Sequence, residues 1–149
     1  MRLEDEIFQK KFKSGYHKAA INIIYTHNWL MGSHAALFKP FNVTSQQYNI
    51  LRILRGQYPT PCSIKTIRER MLDKMSDASR IVEKLRLKGL VERKTCERDR
   101  RNVDVVITDK GLTLLDQIGP VENFSEKDLS ALSPAEIDQL NNLLDKIRG

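Results

Sequence analysis

The chain has 149 residues, 40% of them hydrophobic and 30% charged, with a formal net charge of +6. That length suits one domain with a modest core, and the excess of positive charge favours a polyanionic partner. No window approaches the run of about 18 apolar residues that a membrane helix needs, and the start, MRLEDEIFQKKFK, lacks the apolar stretch of a secretory signal, so a cytoplasmic protein is expected.

The charge is unevenly placed. Residues 1–62 carry eight Lys+Arg against three Asp+Glu, residues 63–110 carry 14 against nine, and residues 111–149 carry three against seven. A polyanion is therefore expected to meet the first two segments and to avoid the last.

In chain order, residues 4–37 read as helix. Phe8, Phe12, Tyr16, Ala19, Ala20, Ile23, Ile24, Leu30 and Met31 form a stripe at three- and four-residue spacing, open to interruption at Gly15, and Pro40 ends it. Thr44 and Gln47 have the spacing of a capping box for a second helix, whose Tyr48, Ile50, Leu51 and Leu54 face a core. GQYPTPC is a loop rich in turn formers.

Residues 63–89 read as two helices with a short break near Leu72 and Asp73, the arrangement of a helix-turn-helix. Ser63 can cap the first. The second, roughly residues 74–88, has an apolar stripe of Met75, Ala78, Val82 and Leu85. Ser76, Ser79, Arg80, Glu83 and Lys84 lie on the opposite side. Gly89 is placed to stop it as the residue after the C-cap.

Two β-prone runs follow, residues 90–96 (LVERKTC) and 103–107 (VDVVI), as in a hairpin. In the second, Val103, Val105 and Ile107 alternate with Asp104 and Val106, which predicts one buried and one solvated face. Thr108 can cap a helix starting at Asp109, broken near Gly119 and Pro120 and resuming through Phe124 toward Leu129. SPAE, residues 133–136, combines a capping box with proline at the first helical position. In the helix it opens, Ile137, Leu140, Leu144 and Ile147 make a narrow seam suited to another helix. The first and last helices carry more apolar surface than a small winged domain can cover, so they are expected to form a dimer interface.

The chemistry concentrates in two places. At the hairpin tip, Arg98, Arg100 and Arg101 surround Asp99 and precede Asn102. Guanidinium groups on such a tip can enter a narrow minor groove or clamp phosphates. Asp99 would repel DNA if it pointed outward, and serves better by pairing with Arg101 or Arg98 and orienting it. On the second helix of the helix-turn-helix, Ser76, Ser79 and Arg80 are expected to reach base edges, where arginine can bond guanine O6 and N7 together. Lys84, and with them Lys65 and Lys74, suit phosphates.

The order of helix, recognition helix, KGLVER, the Asp99-Arg100-Arg101 wing and then VVITDKG resembles the MarR family of winged-helix transcription regulators over most of the chain. The most specific match is DRR followed by Ile107-Thr108-Asp109-Lys110-Gly111. The resemblance implies a mostly α fold with a small β-hairpin wing: a winged helix-turn-helix at about residues 41–110, with dimerisation helices in 1–40 and 111–149. It implies that Arg101 enters the minor groove with Asp99 orienting it, while Arg100 meets phosphate. It further implies a homodimer, binding to double-stranded DNA, and a small-molecule or redox input, with repression as the commoner habit. A dimer would address half-sites about 34 Å apart in a pseudo-palindrome.

No cofactor or metal is expected. His17, His27 and His34 are the only histidines, and no close carboxylate or cysteine accompanies the helical pair His27 and His34. Cys62 and Cys96 read as ordinary reduced cysteines, although Arg93, Lys94 and Arg98 around Cys96 could favour a thiolate. Tyr25, Trp29 and Tyr48 could line an inducer pocket, but aromatics at such spacings are more often core. Enzyme motifs are lacking: no phosphate-binding glycine loop, HExxH or GxSxG. The competing reading is a winged-helix module that binds a protein partner without specific DNA binding.

Overall fold

The structure, a computed structural model, describes residues 1–95, 103–119 and 122–149. The wing-tip residues Arg98, Asp99, Arg100, Arg101 and Asn102, together with Cys96, lie outside the described residues. The chain divides into two compact units, Met1–Ile118 and Gly119–Gly149.

The first unit contains α1 (Leu3–Glu6), α2 (Gly15–Phe38), a 3₁₀ turn (Lys39–Phe41), α3 (Ser45–Gln57), β1 (Cys62–Ser63), α4 (Ile64–Arg70), α5 (Ala78–Leu87), β2 (Val91–Thr95), β3 (Val103–Ile107) and α6 (Asp109–Ile118). The second contains α7 (Glu122–Asp128) and α8 (Pro134–Arg148). Helix dominates, and the strands form one antiparallel sheet in the order β1-β3-β2.

The core forms around α3, which lies against α2, α4, α5, α6 and β3. Ile50, Leu51 and Leu54 of α3 close on Ile67, Met71, Val82, Leu85, Val91, Val105 and Leu115, all of them fully buried. Each such side chain stabilises the fold by roughly 1.5–3 kcal/mol relative to exposure. Phe38 stacks on Tyr48 with ring centroids 4.6 Å apart and joins α2 to this core. The capping boxes at Thr44/Gln47 and Ser133/Glu136 are both formed, and Ser63 accepts from the Thr66 amide as the cap of α4.

Four sequence expectations need correction. The helix expected over residues 4–37 is two helices: α1 stops at Glu6, Phe8 takes a left-handed φ of 53°, and α2 starts afresh at Ser14, whose hydroxyl accepts from the His17 amide at 3.1 Å. The local cap at Ser14 outweighs the apolar periodicity. Side chains hold α1 to α2, through the Glu4–Lys18 ion pair and the Tyr25 hydroxyl donating to Glu6 at 2.8 Å.

The loop GQYPTPC ends in a strand. Cys62 and Ser63 pair with Val105 and Asp104, making a three-stranded sheet where a two-stranded hairpin was expected. Two residues are too few to show a period-two pattern. On β3, Val106 is buried along with Val105 and Ile107, so the strand is covered on both sides at its C-terminal end; Val103, expected to be buried, is exposed, and of the expected solvated face only Asp104 remains half-buried.

The fourth correction concerns the recognition helix. It begins at Ala78, four residues later than expected, because Asp77 caps it by accepting from the Arg80 amide at 3.0 Å. Ser76, Met75 and Lys74 therefore belong to the turn at residues 71–77, and Met75, assigned to the apolar stripe, is 95% exposed.

Candidate nucleic-acid interface

The site is assembled from α4, the turn at 71–77, α5 and the β2–β3 hairpin, and its geometry depends on how firmly those parts are joined. Buried Ala78, Val82 and Leu85 seat α5, which leaves Ser79, Arg80 and Lys84 exposed. Arg80 and Lys84 are one turn apart and share a face. Neither makes an ion pair among the described residues. Lys84 also borders an open depression of about 540 Å³ between the start of α3 and the end of α5, with Lys39, Gln47 and Lys88 on its walls. Lys65 is exposed in the first turn of α4.

Ser76 and Lys74 precede this helix, in the turn at 71–77. The Ser76 hydroxyl donates to Asp73 Oδ2 at 2.5 Å, and the Lys74 ammonium donates to the Glu69 carbonyl. Asp73 Oδ1 accepts from the Met75 amide at 3.0 Å. The hydroxyl of Ser76, followed by the Met75 amide, holds the Asp73 carboxyl below the usual carboxylate range. A second anchor comes from α3, where Asn49 Oδ1 accepts from the Leu72 amide at 3.0 Å. The turn is therefore fixed at both of its ends.

The junction between recognition helix and wing is tied at three points. Glu83 accepts from Arg86 at 2.8 Å and pairs with Arg93 of β2 at 3.2 Å, linking α5 to the wing strand. The Arg86 hydrogen bond keeps the Glu83 carboxyl ionised below its ordinary range. Gly89 turns the chain at φ 71°, where a side chain would be strained, and its carbonyl accepts from the Thr108 hydroxyl at 2.7 Å. That same hydroxyl accepts from the Gly111 amide at 3.1 Å and so caps α6. Lys110 reaches the Lys88 carbonyl at 2.9 Å, while Lys88 itself donates to Gln47 Oε1 at 3.1 Å.

At Gly111 α6 comes close against Leu90 and Ile107. A Cβ there would lie 2.4 Å from the Leu90 carbonyl oxygen and 2.6 Å from Ile107 Cγ1, distances that atoms do not adopt. The glycine in the ITDKG segment is therefore required by packing.

Sequence reasoning placed Glu83 on the polar face without assigning it a partner, and it missed Asp77 and Asn49. The Asp77 signal was readable, since an aspartate immediately before an apolar-periodic run is a helix-start signature. Asn49 and Leu72 are 23 positions apart in sequence, and Gln47 and Lys88 are 41 apart, so no local pattern reports either pair.

The aromatic candidates divide. Tyr48 is core, and its hydroxyl accepts from Arg52 at 3.0 Å. Tyr25 is engaged with Glu6, and Trp29 is partly exposed on α2. Cys62 is buried in β1, where desolvation raises its thiol pKa and keeps it protonated. Among the described residues, no three His, Cys, Asp or Glu side chains come together to hold a metal ion, and no helix is long and apolar enough to cross a membrane.

Comparison with known proteins gives this geometry a lineage. The family model described as MarR family matches residues 41–102. The transcriptional regulator MgrA of Staphylococcus aureus is 33% identical over 113 residues, covering 74% of each chain. This chain belongs to the MarR family. Among solved structures, a MarR transcription factor from Planctomyces limnophilus is 30% identical, with a TM-score of 0.68 over 91% of this chain and 98% of that one. The PcaV regulator of Streptomyces coelicolor, solved with its natural ligand, is 23% identical and shares the fold, with a TM-score of 0.69 over 83% of this chain and 89% of its own. As a MarR protein the chain is a DNA-binding transcription regulator and not an enzyme. That sets aside the module that would bind protein alone.

Proposed function

We propose that this MarR protein is a homodimeric repressor that reads a pseudo-palindromic operator and releases it in response to a small-molecule effector. The observation that carries the DNA-reading part is the exposed face of α5, where Ser79, Arg80 and Lys84 stand clear of the core and Arg80 and Lys84 have no acidic partner among the described residues. Arg80 and Ser79 take base edges, with Ser76 held at the entrance to the helix. Lys84, Lys65 and Lys74 take phosphates. Arg98, Arg100 and Arg101, oriented by Asp99, reach the adjacent minor groove and its phosphates.

Dimerisation is supported by bare apolar surface on two helices. On α2, Tyr16 is 89% and Ile24 61% exposed, and only Phe38 is buried; on α8, Ile147 is 68% exposed and no residue is buried. A second copy covering these faces removes that surface from water. Functionally, residues 41–110 bind DNA, and 1–40 with 111–149 dimerise. Ligand response is supported by the PcaV relative, which was solved with its natural ligand.

The test is titration of the purified protein against its own upstream DNA and a scrambled duplex at two salt concentrations, with the mass read by light scattering. A dimer that prefers the upstream duplex, with affinity falling steeply as salt rises, is the expected result. Equal weak binding to both duplexes, or a monomer that ignores DNA, overturns the proposal.

A further inference from the structure

Within the turn at residues 71–77, two large apolar side chains are left in water. Met71 is buried, but Leu72 is 88% exposed and Met75 is 95% exposed. A single exposed leucine is ordinary on any protein surface. Here two occur within four residues, on backbone that is locked in place. Asn49 holds the Leu72 amide, while Asp73 holds the Met75 amide and the Ser76 hydroxyl. The side chains are thus presented outward by a built turn.

Their position gives the exposure a use. Met75 lies two residues before Asp77, the cap of α5, and the first turn of a recognition helix is the part that reaches base edges in the major groove. Lys74 beside them and Arg80 just beyond add positive charge that favours the same partner. Each base pair in the major groove shows hydrogen-bonding groups, and only thymine adds an apolar one, its C5 methyl. An apolar side chain at this point can gain contact with that methyl, and it has nothing else in the groove to match.

We infer that Leu72 and Met75 are specificity-determining residues that pack on thymine methyl groups of the operator, supplying an apolar readout beside the hydrogen-bonding readout of Arg80. The inference rests on α5 being the DNA-reading helix, as proposed above. Met75, with an unbranched and adaptable side chain, contacts the base nearer the start of α5, and Leu72 the one beyond it.

The experiment separates the two readings. An operator is selected from a random duplex pool with the wild-type protein, and each thymine in turn is replaced by deoxyuridine, which removes the methyl and leaves every hydrogen-bonding group in place. Dissociation constants are measured for the wild type, Leu72→Ala, Met75→Ala and the double variant. Circular dichroism melting verifies that each variant is folded, as expected for residues outside the core.

The wild type is expected to lose about fourfold in affinity for each methyl that is packed in the complex, and about fifteenfold when one is lost from each half-site. The double variant is expected to bind the thymine and deoxyuridine duplexes equally. Wild-type binding that ignores the methyl at every position, while still preferring the selected operator, overturns the inference and leaves the Arg80 assignment standing. A methyl effect that persists undiminished in the double variant also overturns it, because the methyl is then read elsewhere. Failure to select any preferred duplex overturns the DNA-reading proposal, and this inference with it.

Discussion

Replacing Gly111 by alanine adds one methyl group at the point where α6 meets the base of the wing. Alanine is the better helix former by roughly 0.5–1 kcal/mol, so helix propensity alone favours the substitution. The new Cβ would sit 2.4 Å from the Leu90 carbonyl oxygen and 2.6 Å from Ile107 Cγ1. Backbone cannot swing aside like the end of a flexible side chain, so α6 has to lift from the sheet. That would loosen the Thr108 bonds to Gly89 and Gly111. Overpacking typically costs about 1–3 kcal/mol, and loss of a hydrogen bond adds about 1. After the helix gain is subtracted, a net destabilisation of about 1–3 kcal/mol is expected, or a fall in Tm of roughly 3–10 °C for a chain of this size. Gly56 is the internal control: it is also helical, and an added Cβ there meets nothing within 4 Å. Gly56→Ala should match or exceed wild-type stability. Thermal melts of the three proteins at one concentration decide the matter, and a Gly111→Ala protein as stable as Gly56→Ala would refute the packing argument.

Three further outcomes are expected. Arg80→Ala should relax base preference at one step at a cost of about 1–3 kcal/mol, whereas Lys84→Ala should weaken all duplexes evenly and lower the log–log salt slope by about one; competition titrations at several salt concentrations distinguish the two. Glu83 has a carboxyl pKa held below its unfolded value, chiefly by the Arg86 hydrogen bond, so its contribution is present above the ordinary carboxylate pKa and is lost as pH falls through the depressed folded value. Glu83→Gln should therefore be less stable than wild type at neutral pH and draw level in acid, and a gap constant with pH would count against the tie between α5 and β2. Ile24→Glu puts a charge on the bare face of α2, and should shift the mass by light scattering toward a monomer and reduce operator affinity without lowering helix content; an unchanged dimer would move the interface elsewhere.

Much of the candidate site could be read from local pattern, because its elements carry local signals. The Ser63 cap, the Thr44/Gln47 and Ser133/Glu136 boxes, the stop at Gly89 and the strand Val103–Ile107 each depend on residues within a few positions of one another. The errors arose where two local signals competed or where none existed. At residues 74–77 the apolar spacing of Met75 argued for helix, but Asp73 and Asp77 offered side-chain acceptors to the backbone, and the chain took a turn. At residues 7–14 the Ser14 cap outweighed a continuous apolar stripe. Strand β1 became visible only through its partner, 43 residues away at Val105.

By itself the sequence determined that a helix-turn-helix is followed by a basic hairpin, and which polar residues face away from the core, since side-chain periodicity and capping are encoded within one or two turns of chain. Tertiary structure decided that Met75 and Leu72 stand in solvent, and that Glu83 ties the recognition helix to Arg93 of the wing. It also decided why position 111 admits only glycine. These features arise between segments distant in sequence, where fixed backbone, burial and charge meet only after the chain has folded.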